Sequence, residues 1–133
     1  MNEDLPKLES KEKLDLRVLA ADDDEVNRDL LRLILSLRYS FIKIVENGQE
    51  LLDELALENY DVVLTDNNMP KKTGLQALKE IRATDNNIGV VVYSTDTGTT
   101  EEDVKKLGGH FLHKPASREE LYTMIEKTAE KSA

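Results

Sequence analysis

One pattern recurs five times along this chain: a short apolar, β-branched run, then a stretch with helical spacing. The runs are Val18–Ala21, Ile42–Val45, Val62–Thr65, Val90–Ser94 and Phe111–His113. Several are almost unbroken apolar, which is how a strand covered on both faces reads. The stretches between them carry apolar residues three and four apart. Val26, Leu30, Leu33 and Leu37 make one stripe; Leu51, Leu52, Leu55 and Ala56 a second; Leu75, Leu78 and Ile81 a third. Stripes of this spacing are expected to face the core. Asp24 reads as the N-cap of the first helix. Thr99 or Thr100 opens a fourth helix, and Gly108-Gly109 stops it. Ser117-Arg118-Glu119-Glu120 reads as a capping box for a fifth, with Leu121, Met124 and Ile125 inward. Strands alternating with helices predict an α/β fold: a doubly wound (βα)5 unit with a parallel five-stranded sheet and helices on both faces.

Composition narrows the chemistry. The 133 residues suit one domain. Residues 1–14 are polar, contain Pro6 and have no period, so they read as a tail ahead of a domain over 15–133. No cysteine is present, which excludes disulfides, thiol nucleophiles and Cys-ligated metals. The apolar runs are far too short for a membrane-spanning helix, and MNEDLPKLESKEK lacks the apolar centre of a signal peptide. A cytoplasmic location without membrane contact is expected. The 27 acidic against 18 basic residues give a net charge of −9, which disfavours direct nucleic-acid binding.

In a sheet of this kind, ligands sit at the carboxyl ends of the strands. The first run ends in Asp22-Asp23-Asp24, the third at Asp66, the fourth at Ser94-Thr95 and the fifth at Lys114-Pro115. One sheet edge therefore gathers several carboxylates, a hydroxyl and a lysine from separate segments. Two carboxylates about 4 Å apart repel by roughly 4 kcal/mol at an effective dielectric of 20. A divalent cation relieves such a cluster, and Mg²⁺ takes one or two carboxylates while keeping room for a phosphoryl oxygen. Lys114 and Ser94 could hold the remaining phosphoryl oxygens, because phosphoryl transfer needs positioning and charge neutralisation. A carboxylate can also be the nucleophile. Asp66 is the best placed, since it ends a central-looking strand alone.

These residues resemble the receiver domain of two-component response regulators. The resemblance rests on Asp22-Asp23, on Asp66-Asn67-Asn68-Met69-Pro70 with Gly74, on Ser94, and on Phe111 with Lys114-Pro115, in that order over about residues 16–130. It implies a flavodoxin-like receiver fold with strand order 2-1-3-4-5. It implies a phosphoprotein that carries an aspartyl phosphate on Asp66, received from a histidine kinase or a histidine phosphotransfer protein. Asp23, Asp66 and the Asn68 carbonyl would ligate Mg²⁺, and Asp22 would hold metal-bound water. Lys114 would pair with the phosphoryl group, Ser94 would move toward it, and Phe111 would turn inward as Ser94 moves. That relay would re-shape a face for a downstream protein target. Such a domain is not an enzyme on external substrates; it catalyses only its own phosphorylation and dephosphorylation. Asn68 and Asp96 occupy positions that tune the loss of phosphate in the family, and Ser94 and Thr95 depart from its commonest pattern. A rival motif stands in the same residues. Asp22-x-Asp24 after an apolar strand resembles the start of haloacid-dehalogenase-like phosphatases, with Asp22 as nucleophile.

Overall fold

The computed structural model describes residues 12–96 and 98–132. Most of the expected tail lies outside them. Five strands form: β1 Leu14–Ala21, β2 Tyr39–Val45, β3 Val62–Thr65, β4 Gly89–Ser94 and β5 His110–His113. Five helices follow them in turn: α1 Glu25–Ser36, α2 Gly48–Leu57, α3 Gly74–Ala83, α4 Thr99–Lys106 and α5 Arg118–Ser132. All strand pairs are parallel, in the order β2-β1-β3-β4-β5. This is the 2-1-3-4-5 arrangement of a flavodoxin-like receiver fold.

The central strands β3 and β4 are covered on both faces, so apolar residues run through them without alternation until the polar strand ends Thr65 and Ser94. Val62, Val63 and Leu64 on β3 and Val90, Val91 and Val92 on β4 are all buried. Alternation along each strand then divides the core in two. Leu19, Val63, Val90 and Val92 face Leu51, Ala77, Leu78 and Val104, so α2, α3 and α4 cover one face. Val18, Val62, Leu64 and Val91 face Leu31, Leu35, Leu121 and Ile125, so α1 and α5 cover the other. Each fully buried Val or Leu contributes about 1.5–3 kcal/mol.

The helix starts follow their local chemistry. The Asp24 carboxylate accepts the Asn27 N–H at 2.9 Å at the head of α1. At α5, Ser117 and Glu120 exchange the two bonds of a capping box, at 2.7 and 3.0 Å. Helix α4 differs from the expectation for Thr99 or Thr100. Its cap is Gly98, with φ 73° and no side-chain bond. A positive φ is cheap only for glycine.

The stripe expected to bury α1 faces outward. Val26, Leu30, Leu33 and Leu37 are 73%, 53%, 60% and 57% exposed, whereas Leu31 and Leu35 enter the core. The helix carries two apolar stripes, and the shorter one packs on the sheet. No described helix is long and apolar enough to cross a membrane.

Candidate functional site

The strand register brings the candidate residues to one level. Ala21 on β1 stands beside Thr65 on β3, and the Asp66 N–H donates to the Ala21 carbonyl at 2.9 Å. The Asp22 N–H donates to Val45 at 3.1 Å, and the Lys114 N–H to Ser94 at 3.0 Å. These bonds fix the first residue beyond β1, β3 and β5, so their side chains project from the same edge.

Asp22, Asp23 and Asp66 converge there, each with an oxygen within 4.8 Å of the others. Asp22 is buried, Asp66 half-buried and Asp23 exposed. Lys114 stands among them, its Nζ 3.4 Å from Asp22 Oδ2 and 3.7 Å from Asp66 Oδ2. One ammonium therefore pairs with two of the three clustered carboxylates. The Asp66 carboxyl is raised above its ordinary value of 3.8, chiefly by burial. Lys114 and the Asn67 N–H, which donates to Asp66 Oδ1 at 2.7 Å, pull it down; Asp22 and Asp23 push it up. The donor set is all oxygen, compact and short of positive charge, and it fits a hard divalent cation.

Asp22 does not stand as a nucleophile. It is 2% exposed, Oδ1 accepts the Asp24 N–H at 3.0 Å, and Oδ2 pairs with Lys114. Asp66 is the more open carboxylate on the central strand. The phosphatase alternative also leaves the Asp66–Gly74 segment unexplained, and nothing in the fold supports it.

A second network flanks Asp66. Asn67 is buried, and its Oδ1 accepts the Leu75 N–H at the head of α3, at 2.9 Å. Its Nδ2 donates to Asp96 at 2.7 Å, and the Nδ2 of Asn68 donates to the other Asp96 oxygen, also at 2.7 Å. The Asp96 N–H in turn donates to Ser94 Oγ at 3.2 Å. One carboxylate thus ties the β4–α4 connection to the two residues after Asp66. Position in the sequence puts Asp96 near the site but does not reveal this clamp, nor the part that Asn67 plays in it. Ser94 is fully buried, and Phe111 at 7% exposure already packs into the core beside Val92 and Met69. Gly74 opens α3. A Cβ there would lie 2.4 Å from the Asp66 carbonyl oxygen, so only glycine lets α3 approach the Asp66 backbone this closely.

The model of the response regulator receiver domain matches residues 18–126. This chain belongs to that family. Among its relatives, response regulator MprA of Mycolicibacterium vanbaalenii is 31% identical over 108 residues, covering 80% of this chain and 47% of that protein. MprA of Mycobacterium leprae is 30% identical over 112 residues, with 83% and 49% covered. The receiver chain spans about half the length of these relatives. Among solved structures, the receiver domain of a Francisella response regulator superposes with a TM-score of 0.79 at 26% identity, covering 90% of this chain and all of that one. The chemotaxis response regulator CheY4 of Vibrio cholerae gives 0.77 at 25% identity, with 86% and 99% covered. Receiver domains of this family take a phosphoryl group on an aspartate and work with histidine kinases in two-component signalling, and the chain is a signalling domain of that class.

Proposed function

We propose that Asp66 is the phosphoacceptor, and that phosphate on it switches a protein-interaction face. The observation that carries this is the solitary, half-buried carboxylate at the end of the central strand, with Lys114 and two further carboxylates around it. An Asp66 oxygen attacks the phosphorus of a phosphohistidine. The P–N bond breaks, its electron pair stays on the imidazole nitrogen, and that nitrogen takes up a proton. Asp22, Asp23 and Asp66, with the Asn68 carbonyl that the family resemblance adds, would hold Mg²⁺. When bound, Mg²⁺ neutralises the carboxylates and the phosphoryl oxygens. The Lys114 ammonium balances the dianion that Asp66 gains. The Ser94 hydroxyl donates to a phosphoryl oxygen once it leaves the Asp96 N–H, which loosens the β4–α4 connection. Phe111, buried beside that connection, adjusts with it. The domain catalyses its own dephosphorylation, with Asn68 and Asp96 setting the access of water.

The donor is a histidine kinase or phosphotransfer protein that lays a helix along α1, in the cytoplasm. An apolar groove of about 250 Å³ lies between α1 and the β5–α5 connection, lined by Leu30, Leu31, Ile34 and Pro115 and by Asp22 and Lys114 themselves. An occupant of this groove reaches Lys114, which in turn contacts Asp66. The outward stripe Val26, Leu30, Leu33 and Leu37 continues the groove at helical spacing.

The test is an intact-mass spectrum after incubation with acetyl phosphate, with and without Mg²⁺. One phosphoryl adduct that needs Mg²⁺ and vanishes in Asp66→Asn is expected. No adduct on the wild type, or an adduct that persists in Asp66→Asn, overturns the reading.

A further inference from the structure

We infer that Tyr93, which belongs to none of the motifs above, is the residue that positions Lys114. The inference rests on the reading of Asp66 as phosphoacceptor only for its consequence, not for its geometry. Tyr93 is the penultimate residue of β4 and pairs with Leu112 on β5. It is half-buried on the sheet face that α1 and α5 cover, where it forms part of the groove wall. It holds the β5–α5 connection at two points. The Lys114 Nζ lies 5.1 Å from the Tyr93 ring centroid, within range of a cation–π contact. Two residues on, the Ala116 N–H donates to the Tyr93 hydroxyl at 3.3 Å.

The physical need is specific. A lysine side chain has four rotatable carbons and loses about 2 kcal/mol of rotamer entropy when held in one place. The carboxylates of Asp22 and Asp66 attract the ammonium but do not choose between themselves, at 3.4 and 3.7 Å. The Tyr93 ring supplies a third contact, which neither acid provides, and narrows the positions open to the ammonium. A leucine at position 93 would keep an apolar side chain there without attracting the charge. Tyr93 therefore acts through Lys114 and touches no reacting atom.

The test compares Tyr93→Leu and Tyr93→Phe with the wild type. The first readout is the NMR shift of the Lys114 ε-methylene, assigned by its loss in Lys114→Ala. The ring shields these protons in the wild type; Tyr93→Phe keeps the shielding and Tyr93→Leu abolishes it. The second readout is half-saturation by beryllofluoride, a phosphoryl mimic, at saturating Mg²⁺. Tyr93→Leu weakens it about twofold to fivefold, the range of a partly exposed cation–π contact, and Tyr93→Phe restores it. A Tyr93→Leu protein with wild-type shift and wild-type half-saturation overturns the inference. A Tyr93→Phe protein that falls with Tyr93→Leu assigns the effect to the hydroxyl bond and overturns the role of the ring. If the wild type takes neither beryllofluoride nor phosphate, the reading of Asp66 fails, and the methylene shift still decides Tyr93.

Discussion

Replacing Asp66 with asparagine should stabilise the metal-free protein at neutral pH. The Asp66 oxygen lies within 4.8 Å of oxygens on Asp22 and Asp23. At an effective dielectric of 20 each of these two repulsions costs about 3.5 kcal/mol or more. Lys114, 3.7 Å away, returns about 4.5 kcal/mol. The balance is about 2–3 kcal/mol against the carboxylate before its burial is counted. Asparagine keeps the shape and the oxygen that accepts the Asn67 N–H. That 2.7 Å bond then loses its charged acceptor, which takes back about 1 kcal/mol. A net gain of about 1–2 kcal/mol is expected, or roughly 3–10 °C in Tm for a domain of this size. The sign of the pH dependence follows from the raised carboxyl. A folded-state pKa above the unfolded value means that the folded protein binds this proton more readily. Stability from that group is complete below the unfolded value of 3.8 and is lost as pH rises through the folded value. The advantage of Asp66→Asn must therefore be full at neutral pH and vanish in acid. Mg²⁺ should close the gap from the other side, because the intact site gains about 2.7 kcal/mol at a hundred times its dissociation constant and the variant has lost one ligand charge. Thermal melts in EDTA and in Mg²⁺ across pH measure all three effects. A variant less stable than the wild type in EDTA at neutral pH, or one whose advantage persists in acid, refutes the electrostatic account.

Two other substitutions probe the surroundings. Gly74→Ala puts a methyl group 2.4 Å from the Asp66 carbonyl oxygen, so it should lower stability by about 1–3 kcal/mol and slow labelling by acetyl phosphate although no functional group changes; an unchanged urea midpoint would show that the α3 start yields freely. Leu33→Asp, on a residue 60% exposed, should change the unfolding free energy measured in urea by less than about 0.5 kcal/mol. It should also lower transfer from a phosphohistidine donor about fivefold more than it lowers acetyl phosphate labelling; equal effects on the two donors would remove α1 from the docking surface.

The legible part of this molecule is the part that a single strand or strand end decides. Unbroken apolar runs required strands covered on both faces, and the residues ending those runs required a shared edge, so Asp22, Asp23, Asp66 and Lys114 could be assembled from sequence. What escaped depends on which way a side chain leans across elements. Asp96 lies within two residues of Ser94, yet nothing in its spacing says that its two oxygens take the amides of Asn67 and Asn68. Tyr93 reads as one more strand residue until β5 is placed beside it.

Helix α1 makes the same point with energy attached. Its residues at 26, 30, 33 and 37 and those at 31 and 35 both satisfy helical spacing, and spacing carries no information about which stripe faces the sheet. The structure packs Leu31 and Leu35 on the sheet, and the bond from Arg28 to the Asp22 carbonyl ties the first turn to the end of β1 in that orientation. The outer stripe is then left in water, a cost that folding alone gives no reason to keep. Under the proposed function that stripe has a use: Leu30 lines the groove that Asp22 and Lys114 also line, and Val26, Leu33 and Leu37 extend it along α1 as a helix-bearing phosphodonor would require.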